Sequence, residues 1–452
     1  MKDGDHRNSD HRLASSLIKW LVIFLCLWQS VFTVPDIAME MLLKLLVAFV
    51  KVIAENSTSA VVTVLLAAIP TSIYRLRKNI RSTCGDSFTE YVICPVCFTL
   101  YTMDQCVTTC DGGEIVPKTC SFVKFPNHPF RHLQRACGAS LVKKIHLTGG
   151  KVVYQPRYVY AYQSVKHSLQ RLLRRPGFAA KLEHWRNRPS CENKLSDVYD
   201  GEVWKEFCSD KYNNFLRYKR NYGVMLNFDF FQPYKHTTDS YGAFYLTLMN
   251  LPRSERFKQE NVLLVGIIPS LEHEPSSLNS FMRPLVDELK EFWHHGVRLN
   301  TAESPKYKPL FKLALMCVAC NIPAARKCCG FKGHSANYGC SRCMKYFPGG
   351  LGKKDFSGFD RSLWPPRTYE AHMEATNKIL RCNTQGACDS LETDTGVKHS
   401  ILSELVYFNP VRFTVIDPMH NLFLGTAKTV MKKIWLEKGI IKCSTKRHPN
   451  SN

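Results

Sequence analysis

Residues 311–320 (FKLALMCVAC) are apolar but for Lys312. So short and apolar a run reads as a buried β-strand. Asn321, Ile322 and Pro323 close it, because a proline disfavours helical backbone at the residue before it and marks a turn. A Gly330–Phe331 step then leads to two cysteines spaced C-x2-C, Cys340 and Cys343. A buried strand, a turn with a polar side chain at its tip, and a metal-type knuckle follow one another.

Upstream, strand and helix signals alternate. Residues 224–230, 243–249 and 262–268 read as three short strands, and residues 282–293 carry the period of an amphipathic helix. Three strands, a helix and a fourth strand make an α+β or α/β domain, in the element order of an RNase H-like core. Asp229 lies in the first strand and Asn321 at the end of the fourth. These segments are expected to pair in one mixed sheet, with the two side chains close together at one end.

The 452 residues suffice for two to four domains with cores of their own. A net charge of +23 asks for an anionic partner, either nucleic acid or an anionic membrane face. The 19 cysteines include two C-x2-C pairs, Cys94/Cys97 and Cys340/Cys343. In a large basic chain such pairs read as metal knuckles in a reducing compartment rather than as disulfides, which favours nucleic acid. Cys317, Cys328 and Cys329 lie in or beside an apolar strand and read as packing residues.

Composition divides the chain into seven stretches. Residues 1–82 are helical and end in a basic stretch with Arg75, Arg77, Lys78 and Arg81. Residues 84–145 are Cys-rich. Residues 146–222 are basic and aromatic, with helices expected near 164–174 and 177–185. Residues 223–348 hold the strand–helix core and its knuckle. Residues 349–400, Gly-rich then polar, read as an insertion or linker. Residues 401–440 contain a helix from Met419 to Lys438, and 441–452 read as a disordered tail.

In the first stretch, residues 17–35 (LIKWLVIFLCLWQSVFTVP) approach the lower length limit of a membrane span. Residues 37–54 and 60–73 are also apolar, and Met41, Leu42, Leu45, Leu46, Phe49 and Val52 fall on one broad helical stripe. Three helices able to cover one another predict a small bundle. A membrane anchor through residues 17–35 is the alternative.

The Cys-rich stretch offers a closed ligand set. Cys94 and Cys97 form a knuckle, and Cys120 and Cys137 open and close a second segment. Four thiolates from these positions make a zinc-ribbon-like module with a structural Zn²⁺. Cys106, Cys110 and His128 are rivals for the second half of the set. The basic segments that follow supply Arg157, Arg171, Arg174 and Arg175, and the turn after the fourth strand supplies Arg326 and Lys327. These cations suit phosphate neutralisation; a solvated basic face is the plainer reading.

Three long segments carry a family resemblance: NFDFFQPYKHTTDSYGAFYLTLMNLPRSERFKQENVLLVGIIP, LMCVACNIPAARKCCGFKGHSANYGCSRC and DPMHNLFLGTAKTVMKKIW. In spacing and chemistry the chain resembles the CACTA (En/Spm-type) transposase family, over about residues 30–438. The resemblance implies a nuclear protein of DNA transposition, whose DDE triad holds two Mg²⁺ ions to cut and rejoin DNA. Asp229 matches the family's first catalytic carboxylate. The second stands in a tract Cys-Asp-hydrophobic-Pro-Ala, where this chain has Cys320, Asn321, Ile322, Pro323 and Ala324. The third acid has no match, and Asp417 and Glu437 are poor substitutes. In related recombinases a C-x2-C pair joins downstream histidines on structural zinc, which makes His420 a candidate partner of Cys340 and Cys343.

The expectation is a truncated or degenerate copy: a DNA-binding protein of transposase descent with an incomplete core and no strand cleavage. It assembles with DNA and with further copies of itself at most, and not with a membrane. Two alternatives stay open, a non-catalytic zinc-dependent DNA-binding regulator and a membrane-anchored protein.

Overall fold

The computed structural model describes residues 3–441 except 33, 57–58, 85–87, 111–113, 127, 148–149, 151, 190–193, 234–236, 334–335 and 351–352. The tail expected at 441–452 lies, beyond its first residue, outside the described residues. The chain forms two compact units, Met1–Ser87 and Phe88–Asn452.

The first unit consists, among its described residues, of helices α1 (Asp3–Val31), α2 (Asp36–Glu55), α3 (Ala60–Ala68) and α4 (Ile73–Cys84). The apolar run expected to be one helix from residue 60 to 73 stops at Ala68, because Pro70 disfavours helical backbone at Ile69, and a new helix starts only at Ile73. Ile18, Val22 and Leu25 of α1 are buried with Met39 and Leu43 of α2, Ile69, and Leu76 of α4. The Asp36 carboxylate accepts from Arg77 at 2.7 Å and Glu40 from the Ile73 amide at 2.9 Å, which ties α4 to α2. The expected stripe divides: Leu42 and Leu46 pack against the buried cluster, and the rest faces outward. Met41, Leu45, Phe49 and Val52 are exposed, because α2 is apolar round most of its circumference and its period singles out no face. No described helix is long and apolar enough to cross a membrane.

The second unit is built on a sheet with nine strands among the described residues. In chain order its elements are β1 (Phe88–Ile93), β2 (Leu100–Tyr101), α5 (Met103–Cys106), β3 (Val107–Thr109), β4 (Ile115–Pro117), β5 (Val142–His146), β6 (Val152–Pro156), β7 (Val159–Gln163), α6 (Val165–Leu173), α7 (Phe178–Glu183) and α8 (Glu202–Phe207). After these come β8 (Asn221–Phe231), β9 (Tyr241–Leu248), α9 (Arg253–Arg256), β10 (Val262–Ile268), α10 (Asn279–His294), β11 (Val297–Arg298), β12 (Leu310–Cys320), α11 (Ile322–Cys329), α12 (Tyr369–Leu380), α13 (Gln385–Thr395), α14 (Pro410–Phe413) and β13 (Thr414–Ile416). The strand order is β11-β12-β8-β9-β10-β7-β1-β2, and β13 pairs with the far end of β12.

The four strands expected from the apolar pattern are β8, β9, β10 and β12, and they are consecutive in this one sheet. β8, β9 and β10 alternate in direction, whereas β12 and β13 run parallel to β8. Parallel neighbours need crossovers. α10 provides one, burying Phe281, Met282, Leu285, Val286, Leu289 and Phe292 on the sheet. In the stretch expected to be a linker, α12 and α13 form on Thr368 and Thr384 caps and bury a small cluster of Ala375, Ile379 and Val397. Polar composition hid them, since their apolar faces are narrow.

Candidate functional site

The parallel strands β8, β12 and β13 all end at the same edge of the sheet. Val318 of β12 pairs with Leu226 of β8, so the register carries Asn321 level with Asp229. Cys320 pairs with Ile416 of β13, which sets Asp417 one step beyond, level with Asn321. Ligand sites of open sheets with parallel strands lie outside such carboxyl ends.

Asn321 is the N-cap of α11. Its Oδ1 accepts from the Ala324 amide at 2.9 Å, and Pro323 fills the first turn, where no amide donor is needed. With the oxygen thus committed, the Nδ2 group faces Asp229 and donates to its Oδ1 at 2.7 Å. Asp229 is exposed, and the same Oδ1 accepts from the Phe230 amide at 2.9 Å. Asp417 accepts from the Met419 amide at 2.8 Å and from His420 Nδ1. Burial opposes its charge, but the hydrogen bonds from His420 and Met419 prevail and hold the carboxyl below the usual range.

His420 also lines a cavity of about 500 Å³ with Asn321, Ile322, Pro323, Gly425, Thr426, Thr429 and Val430. The helix expected after DPMH forms with wide π turns, over Met419–Ala427 and Val430–Leu436, and makes one wall. In the sequence Asp417 reads only as a poor substitute for the third acid. The missing signal was β13, three residues too short to show a period.

A pair of dications needs several carboxylates around them. Here one carboxylate is offered an amide hydrogen, and Asp417 is engaged by His420. The residues present do not fit a two-Mg²⁺ set.

Among the described residues the four cysteines Cys94, Cys97, Cys120 and Cys137 are the group whose ligand atoms all lie within 4.8 Å of one another. Cys94 Sγ is 3.7 Å from Cys137 Sγ and Cys97 Sγ is 3.4 Å from Cys120 Sγ. A tetrahedral Zn²⁺ with bonds of about 2.3 Å sets its sulfurs about 3.8 Å apart, so the set fits that ion. It is held by the β1–β2 turn and by Cys120 and Ala139, whose backbones are joined at 2.9 Å. The Tyr101 hydroxyl lies 3.1 Å from Cys120 Sγ. Burial raises Cys94 and Cys97; it works on Cys120 too, but the Tyr101 hydroxyl and the Phe122 amide outweigh it and lower that thiol. Of the rivals, Cys106 is buried with its thiol on the Thr102 carbonyl, and neither it nor Cys110 or His128 joins the cluster.

The second knuckle is held by arginines. Arg342, between its cysteines, donates to the carbonyls of Val411, Arg412 and Thr414, and Arg367 donates to the Cys340 carbonyl at 2.7 Å. Among the described residues no third ligand joins Cys340 and Cys343; His420 lies with Asp417 instead.

The expected phosphate contacts divide. Arg157, Arg171 and Arg174 are exposed. Arg175 donates to Asn261 Oδ1 at 3.1 Å. Lys327 pairs with Glu274 and lies over the Phe230 ring, and burial lowers the pKa of Arg326.

Residues 192–349 match the model of the transposase family tnp2. The matched stretch runs from ahead of β8 through the second knuckle, so it takes in Asp229, Asn321, Cys340 and Cys343, and it supports descent from a transposase. Cys94, Cys97, Cys120, Cys137, Asp417 and His420 fall outside it. No curated protein matches the chain.

Proposed function

We propose that the chain is a transposase-derived DNA-binding protein of the nucleus, of CACTA type, whose RNase H-like core has lost strand cleavage. The strand order β10-β9-β8-β12-β13, with β8, β12 and β13 parallel and α10 before β12, supports the RNase H-like reading. The tnp2 match over residues 192–349 supports the descent. The net charge of +23 supports DNA as partner.

The hydrogen bond from Asn321 to Asp229 carries the loss of cleavage. It puts a neutral donor where a two-metal site needs a second negative oxygen. The cysteine cluster supports a second reading, a non-catalytic zinc-dependent DNA-binding regulator, with Cys94, Cys97, Cys120 and Cys137 holding the ion that fixes their module. A nicking assay on supercoiled DNA with Mg²⁺ or Mn²⁺ tests both. No cleavage together with salt-dependent binding is expected; metal-dependent nicking abolished by Asp229→Ala would overturn the reading.

A further inference from the structure

Between Cys120 and Cys137 the chain makes a closed surface loop. Its neck is tied by the Cys120 amide on the Ala139 carbonyl, the Gly138 amide on the Cys120 carbonyl and the Cys137 amide on the Phe122 carbonyl, at 2.9, 2.9 and 2.8 Å. Gly138 makes the closing turn at φ +69°. Two of the four clustered thiols sit at this neck. These bonds fix where the loop leaves and rejoins the module, which lowers the entropic cost of its closure.

Its outer part is unlike an ordinary polar loop. Phe122, Phe130 and Leu133 are 40, 58 and 68 % exposed. The rings of His128, Phe130 and His132 follow one another, with centroids 6.0 and 6.4 Å apart. The His128 ring is fixed by the Phe130 amide, which donates to its Nδ1 at 3.0 Å. Lys124 and Arg135 flank the rings and are exposed. The charge pattern extends well beyond the loop: residues 115–182 contain 13 Lys and Arg and no Asp or Glu. The β5–β6 hairpin that continues from it exposes Lys143 and Lys144, and its Val142 and Tyr154 pack on the cysteine cluster.

Exposed rings cost solvation unless a flat apolar partner covers them, and unbroken positive charge calls for a polyanion. A DNA duplex satisfies only the second demand, because its bases are stacked away. Single-stranded DNA satisfies both, since every unpaired base offers a face for stacking and a phosphate for a cation.

We propose that the Cys120–Cys137 loop is a binding site for single-stranded DNA, with Phe130 and its neighbouring rings stacking unpaired bases and Lys124 and Arg135 meeting the phosphates. This rests on the DNA-binding reading above and names the form of DNA and the segment that takes it. The test uses the full zinc-loaded chain and a fluorescent oligonucleotide, single-stranded and as a duplex. Phe130→Ala removes an exposed ring and is expected to weaken single-strand binding about tenfold, while duplex binding changes less than about twofold. Phe130→Trp should restore affinity, and its fluorescence should be quenched by the single strand. Equal weakening on both DNA forms, or none on either, overturns the proposal while leaving DNA binding itself intact. Wild-type chain that binds neither form overturns the DNA-binding reading as well. Single-stranded RNA bound at least tenfold tighter than DNA of the same sequence would overturn DNA as the partner.

Discussion

Asn321 donates its amide hydrogen to Asp229 across 2.7 Å, from the end of one parallel strand to the end of the next. The direction of that bond is forced by the helix it caps. The Ala324 amide needs an acceptor, so the Asn321 oxygen turns inward and the nitrogen turns to the carboxylate. An aspartate in this rotamer would keep the cap but set two carboxylate oxygens in contact. Such a pair stands only with a cation or a shared proton between them. Asparagine supplies the hydrogen itself, and the edge of the sheet closes without an ion.

Asn321→Asp therefore makes the site ask for a cation again. Without divalent ions the variant should unfold at a lower temperature than the parent chain, and Mg²⁺ or Mn²⁺ should recover part of the loss. The parent chain should be indifferent to either ion. Cutting should not return, because Asp417 is engaged by His420 and the site has no third free carboxylate among the described residues. Thermal melts with and without Mn²⁺ check the first statement, and a nicking assay the second. Asn321→Ala is the control: it loses the cap, worth about 1 kcal/mol, together with the bond to exposed Asp229, and should show no response to metal.

The cysteine cluster makes a separate prediction. Elemental analysis should find one zinc per chain. Cys97→Ala should lose it, whereas Cys106→Ala should keep it, because the Cys106 thiol lies on the Thr102 carbonyl outside the cluster. Zinc lost equally from both variants, or from neither, would mean a different ligand set.

The exposed arginines should matter to DNA more than the paired lysine. Arg171 is free to meet a phosphate, so Arg171→Ala should lower the slope of log affinity against log salt by about 1. Lys327 already faces Glu274, and Lys327→Ala should change that slope less. Binding titrations at several salt concentrations measure both.

The core was legible because buried strands are written in continuous apolar runs. Residues 224–230, 243–249, 262–268 and 311–320 fall within β8, β9, β10 and β12 or overrun them by one residue, Met249. Asp229 and Asn321 were legible with them, since a residue at a strand end inherits its place from the register. Asp417 was not, because β13 is too short for periodicity. The outward part of α2 was not either, since a helix apolar round most of its circumference leaves the choice of buried face to its neighbours. α12 and α13 were lost in a polar stretch for the opposite reason.

His372 gives the pH dependence. It lies on α12 at 3 % exposure, with its ring 4.8 Å from Phe331 and its Nδ1 without a hydrogen-bond partner. Burial, helped by the nearby Arg367 cation, pushes its pKa down to about 4. In the unfolded chain the imidazole titrates near 6.5. Between these values the unfolded state binds the extra proton, so stability falls as pH falls through the window from about 6.5 to about 4. At pH 5 the loss is about 2 kcal/mol from this group. Glu404, held down to about 2 by Arg283 and Lys290, loses its contribution only at lower pH, so the two windows separate. Urea midpoints at pH 7 and pH 5 should differ for the parent chain, and His372→Leu should reduce the difference; His399, whose pKa burial also lowers, leaves a remainder of the same sign. An unchanged difference in His372→Leu would place the acid-sensitive group elsewhere.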